Sequence, residues 1–145
     1  PQAPQASESS RLRLVQMRRM AARFKGHMGM WPAEGMAELR LLTQPLHRYS
    51  STARGIIDGA VFAFTQANDP EMLLVLEIVT RPSDDRLTWR YTLARVTAVR
   101  VRAELDGEVV WSVDGYGRLP HAIADPYVHR IEDKFEARIH DPRFK

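Results

Sequence analysis

The chain has no cysteine in its 145 residues. That one absence excludes disulfide frameworks, thiolate metal sites, iron–sulfur clusters and cysteine nucleophiles. It leaves the redox compartment open. No apolar run approaches the ~20 residues of a membrane-spanning helix; the longest lies around Met72 to Leu76. A glycine-rich phosphate loop is missing, and so are the Gly-x-Ser-x-Gly and Ser-x-x-Lys nucleophile motifs. Nucleotide binding of the common kinds and serine hydrolysis of the common kinds therefore have no sequence support.

What is present describes a folded domain. The length matches one unit of about 100–150 residues, which buries roughly 68–70% of its unfolded surface and needs no metal or disulfide to hold a core. Hydrophobic residues are 44% and charged residues 27%, which places the chain with globular and not disordered proteins. The net charge of +3 is uneven. Residues 1–30 hold Arg11, Arg13, Arg18, Arg19, Arg23 and Lys25 against Glu8 alone, residues 31–105 balance, and 106–145 are slightly acidic. The basic character belongs to the first segment, which weakens an argument from overall charge to nucleic acid.

Residues 1–9 read as a flexible polar lead, and 10–145 as a single domain. The chain opens on Pro1 and not Met, as a mature chain does after leader removal. Ser9 or Ser10 can cap a helix. Leu14, Met17, Ala21, Phe24 and Met28 recur at spacings of three and four, one helical stripe with the arginines mostly off it. Gly26 suits the end of that helix. Residues 26–35, with His27, Trp31 and Pro32, read as a loop. An extended segment starting at Glu38 breaks at Pro45, which cannot donate to a ladder, and resumes through 46–49.

Residues 56–66 alternate, with Ile57, Val61 and Ala63 on one face and Ala60, Phe62 and Phe64 on the other. Asn68-Asp69-Pro70 supplies turn chemistry, and 72–79 is apolar on both faces, as in a strand buried on both sides. Leu87, Trp89, Tyr91 and Leu93 alternate with Thr88, Arg90 and Thr92. In the last hairpin, a three-residue loop of Leu105, Asp106 and Gly107 matches the apolar faces, pairing Ala103 with Val109, Val101 with Trp111 and Val99 with Val113. This predicts a G1 bulge with Gly107 left-handed. Asp125-Pro126 reads as a helix start, with Val128, Ile131, Phe135 and Ile139 as its buried stripe. The expected fold is α+β: a twisted antiparallel sheet of five to seven strands, curled into a sandwich or half-barrel, with an N-terminal and a C-terminal amphipathic helix.

Each candidate for chemistry has a simpler competitor. His129 with Asp133, and Glu136 with His140, are four apart, but neither pair has a third ligand, so no metal and no cofactor is expected. His47 and Tyr49 fall on one side of an interrupted strand near Asp58. An Asp–His couple there suits general acid–base work, with Arg48 and Arg54 binding an anion, on an ester or anionic substrate. Asp58-Gly59 is more simply a bulge. Arg90, Arg95, Arg100 and Arg102 resemble a solvated sheet face, since Trp89, Tyr91 and Trp111 alternate away from them and cannot stack bases. Trp31 is the one tryptophan placed for ligand contact. Arg11, Arg18, Arg19, Arg23 and Lys25 are the candidates for contact with an acidic partner, and weak anion or nucleic-acid binding through them ranks third.

Several stretches are familiar together: Glu38 to Tyr49 (ELRLLTQPLHRY), Asp58 to Phe64 (DGAVFAF), Asn68 to Leu74 (NDPEMLL), Trp89-Arg90-Tyr91 with Leu93-Ala94-Arg95, and Leu105 to Ser112 (LDGEVVWS). Across roughly residues 12–114 the chain resembles a family of uncharacterised exported proteins of planctomycete-type bacteria. The resemblance implies export, with a leader removed before Pro1. It brings no activity and no functional residues. The expectation that results is a non-catalytic binding or interaction module of the cell envelope, meeting a protein or an acidic envelope component. The alternative is an enzyme using His47 and Asp58.

Overall fold

The computed structural model describes residues 3–30, 35–80, 86–115 and 127–132. One helix, α1 (Ser10–Ala21), precedes nine strands: β1 (Phe24–Met30), β2 (Gly35–Leu41), β3 (His47–Ser51), β4 (Ile56–Gln66), β5 (Asp69–Thr80), β6 (Leu87–Arg95), β7 (Val101–Leu105), β8 (Glu108–Val113) and β9 (Tyr127–Glu132). All pairings are antiparallel. The spatial order is β8-β7-β1-β2-β4-β5-β6-β9, with β3 also on β4, in a sheet curled into a nearly closed barrel.

The long central strands follow the alternation in the sequence. Ala60, Phe62 and Phe64 of β4 face inward with Leu76, Leu74 and Met72 opposite them on β5, and Tyr91 and Leu93 continue two of those rows on β6. All are buried. Met17, Met20 and Ala21 of α1 join this cluster, so the helix packs within the curl of the sheet. A helix whose stripe is methionine and alanine suits that place: Met fills irregular gaps and Ala lets backbones approach.

β2 and β3 form one interrupted strand along β4. Arg40 and Leu41 pair with Thr65 and Phe64, Leu42 N–H donates to Ala63 O, and Leu46 N–H donates to Val61 O. The intervening residues loop out, and Pro45 sits where no ladder donor is required. Before Arg40, the same β2 pairs with β1. β2 therefore passes from one neighbour to another, which curls the sheet.

The structure corrects four expectations. First, the helical stripe ends at Ala21; Phe24 and Met28 belong to β1, and the 26–35 loop is largely the β1–β2 hairpin. Gly26 does not stop a helix. It lies mid-strand, and a Cβ there would come within 2.7 Å of the Met72 methyl and 3.1 Å of the Phe64 ring. Second, the described residues form a sheet of nine strands rather than five to seven. Third, Tyr127–Glu132 is a strand paired with β6, not the first turns of a helix. Phe135 and Ile139, with Asp133, Glu136 and His140, lie outside the described residues.

Fourth, the last hairpin has a two-residue turn. Leu105 pairs with Glu108, and both Asp106 (φ 53°) and Gly107 (φ 89°) are left-handed, as a type I′ turn requires. The extra residue that realigns the apolar faces is Val110, bulged between the Glu104–Val109 and Ala103–Trp111 pairs. The face-matching requirement is met one step into the strand and not in the turn. Gly107 has the positive φ expected of it.

Candidate binding cleft

Asp58 is the inward-facing residue of β4 that follows a bulge at Ile57, where Ile56 pairs with Val79 and Asp58 with Ile78. Its carboxylate is almost fully buried at the end of the apolar interior. A charge there requires partners, and two arginines supply them. From α1, Arg13 Nε donates to Oδ2 at 2.8 Å. From β3, Arg48 donates through Nε to Oδ1 at 2.9 Å and through Nη2 to Oδ2 at 2.6 Å, a bidentate fork. Burial alone would push the Asp58 carboxyl up. The hydrogen bonds and charges of Arg48 and Arg13 outweigh it and hold the carboxyl below the usual range. The hydrogen bond to Asp58 in turn raises Arg48.

Two cations share one anion, so the cluster keeps a single positive charge. Its remaining bonds tie three elements together. Arg48 Nη2 also donates to the carbonyl and hydroxyl of Ser10 at the start of α1. Arg13 Nη1 donates to the carbonyls of Ser7 and Glu8. Ser10, Arg13, Arg48, Tyr49, Ser50, Ile57 and Asp58 line an open cleft of about 310 Å³, at the small end of ligand-sized pockets.

The Asp–His couple does not form. Arg48 lies opposite Ala60, on the inward face with Asp58, whereas His47 lies opposite Val61 and Tyr49 opposite Gly59, on the other face. There the His47 and Tyr49 rings stack with centroids 5.9 Å apart. Tyr49 O–H donates to Glu77 Oε1 at 2.6 Å, and Arg90 Nε donates to Glu77 Oε2 at 2.7 Å. Burial first, then the bond to Glu77, pushes the Tyr49 phenol well above its ordinary value. Tyr49 is held as a donor, which is the opposite of what a catalytic phenolate needs.

The other candidates are dispersed. Arg54 is exposed on a single 3₁₀ turn (Thr52–Arg54) and does not line the cleft. Trp31 lies outside the described residues. Of the basic set, Arg11 and Arg19 are exposed on α1, and Arg18 donates to Gln44. Arg23 and Lys25 lie beyond the helix. Arg23 pairs with Asp106 at 2.5 Å, and Lys25 is 3.7 Å from Glu38. The arginine face is also divided: Arg95 is buried and donates to the Asp114 carbonyl, Arg90 serves Glu77, and Arg102 is 3.0 Å from Glu104. Among the described residues, no group of three His, Cys, Asp or Glu side chains is placed to hold a metal, and no helix is long and apolar enough to cross a membrane.

Comparison with protein-family models, with curated proteins and with solved structures finds no match in any of the three. The cleft must therefore be read from its own chemistry. Its overlooked member is Arg13. A signal for it exists in the sequence: Arg13 stands four residues before Met17, on the apolar stripe itself. A cation at a core-facing helical position needs acceptors nearby, and a buried acid is the strongest of them.

Proposed function

We propose that the chain is a non-catalytic binding or interaction module of a bacterial cell envelope, and that the cleft between the start of α1, β3 and the Asp58 end of β4 is where it binds. The observation that carries this reading is the state of Asp58. A general base needs a carboxylate free to accept a proton near neutral pH. Asp58 is instead held ionised by two guanidiniums, below the usual carboxylate range. Its work is to fix Arg13 and Arg48 at the mouth of a cleft. Preorganised donors beside an open space serve recognition. The envelope location rests on the family resemblance in the strand segments.

The test has two arms. Backbone amide shifts are followed by NMR while the full chain is titrated with a panel of small anions and neutral compounds. Saturable shifts centred on Ser10, Arg48, Ser50 and Ile57 support the reading. In parallel, p-nitrophenyl esters are offered as substrates. Turnover above background that disappears in His47→Ala and Asp58→Asn overturns it in favour of an enzyme.

A further inference from the structure

The arrangement of the guanidinium nitrogens narrows what the cleft accepts; this inference rests on the binding reading above. Arg48 uses Nε and Nη2 for Asp58 and Ser10. Arg13 uses Nε for Asp58 and Nη1 for the Ser7 and Glu8 carbonyls. Arg48 Nη1 and Arg13 Nη2 have no partner among the described residues. Both side chains line the cleft, and neither is fully buried, with 30% of Arg48 and 13% of Arg13 exposed. Each guanidinium carries five donor hydrogens in a fixed plane, so one side of each fork is spent on Asp58 and another nitrogen remains.

We propose that this cleft is a carboxylate subsite, taking a singly charged carboxylate attached to a short apolar group. Three features select that class. The uncompensated charge of the Arg13–Asp58–Arg48 cluster is one, which a monoanion neutralises and a phosphate dianion over-neutralises beside a buried Asp58. The unused nitrogens are guanidinium donors, and a planar carboxylate is the acceptor that arginine recognises better than a point cation does. Ile57, beside Asp58 in the chain, lines the same cleft, is 40% exposed at the bulge and offers apolar surface there. Ser50 lines the same cleft and brings a hydroxyl. Asp58 has a second role here. It orients both guanidiniums before any ligand arrives, so little side-chain freedom is left to lose on binding.

The experiment uses the full chain and three probes: butyrate, its neutral isostere butyramide, and inorganic phosphate. Binding is followed by NMR, including the side-chain ¹⁵N resonances of the arginines. Butyrate is expected to bind saturably, to move the Arg48 Nη1 resonance, and to weaken as salt is added. Butyramide is expected to bind about tenfold less tightly or worse, as the loss of a charge-assisted contact predicts. Arg48→Gln is expected to lose butyrate binding by a similar factor. Because that variant strips a partner from buried Asp58, Ser50→Ala and the Arg48 resonance in the unaltered chain give readouts that do not depend on its folding. Equal binding of butyrate and butyramide, tighter binding of phosphate than butyrate, or an unmoved Arg48 resonance would each overturn the carboxylate assignment. In those cases the binding-module reading stands as long as the cleft amides still respond to a ligand. It falls separately if no compound moves them.

Discussion

Arg13 and Asp58, 45 residues apart in the chain, meet at 2.8 Å where the start of α1 meets the start of β4. The contact joins the one described helix to the sheet at the point where the apolar interior gives way to the cleft. Arg48 completes it from β3. The geometry is that of a buried acid with two cationic partners, which is destabilising to break even where it adds little net stability.

Asp58→Asn is accordingly expected to cost about 3 kcal/mol near neutral pH, because it leaves two inward guanidiniums without their anion. The folded-state carboxyl is depressed, so its contribution is fully present above the unfolded value near ~3.9 and is lost as pH falls through the folded value. The deficit of the variant, measured by urea unfolding, should be largest at neutral pH and shrink as the solution is made acidic below about pH 4. A deficit that stays constant across that range would remove Asp58 as the origin of the effect.

The fold was legible where one residue period dominates. β4 and β6 alternate, and β5 is an apolar run rich in β-branched residues between turn signals, which suits a strand buried on both faces. It was not legible where two periods fit. Leu14, Met17, Ala21, Phe24 and Met28 satisfy a helical spacing, but Phe24, Gly26 and Met28 also satisfy a strand's, and only the presence of β2 and β7 as partners decides for the strand. Val128 and Ile131 were ambiguous in the same way, and pairing with β6 decides them. At the site, the neighbourhood of Arg48 and Asp58 was readable. Arg48 and not His47 is the partner of Asp58 because adjacent strand residues point to opposite faces, and only the tertiary structure brings Arg13 near.

Tyr49 provides an independent check of the outer face. Its phenol is buried against Glu77, which raises its ionisation above the ordinary value. In a spectrophotometric titration of the four tyrosines, Tyr49 should remain un-ionised when exposed phenols have titrated. A raised value stabilises the fold below the unfolded phenol value of about 10 and loses that contribution as pH rises through the folded value. Tyr49→Phe, which orphans one oxygen of buried Glu77, should cost about 1–3 kcal/mol and remove one phenol from the late part of the titration. If every tyrosine titrates together in the native chain, the Tyr49–Glu77 bond is not formed in solution.

Gly59 lies directly beneath the Tyr49 ring. A Cβ at that position would stand 2.8 Å from Cζ and 3.0 Å from Cε2. The ring covers a residue that has no side chain of its own to pack. Gly59→Ala should therefore cost about 1–3 kcal/mol through overpacking, and most of that cost should vanish in a Tyr49→Ala background, where the ring is gone. A double-mutant cycle on unfolding free energies measures this coupling. Additive effects of the two changes would mean that the ring does not rest on Gly59.

Trp89 ties down the segment ahead of the helix. Its indole N–H donates to the Pro4 carbonyl at 2.7 Å, Gln16 donates to the Gln5 carbonyl and accepts from Ser7 N–H, and Ala3 and Ala6 pack on the core. These contacts use backbone atoms and alanine methyls, so the segment closes over Trp89 without inserting a large anchor of its own. Trp89→Phe keeps the ring and loses the donor, and should cost about 1 kcal/mol. A chain lacking residues 1–8 should show Trp89 fluorescence shifted to longer wavelength and more readily quenched by iodide. It should also show weaker ordering of Arg13, which loses the Ser7 and Glu8 carbonyls. Unchanged emission and quenching would show that Trp89 is shielded by other parts of the chain, and that the Pro4 contact is not what keeps water from it.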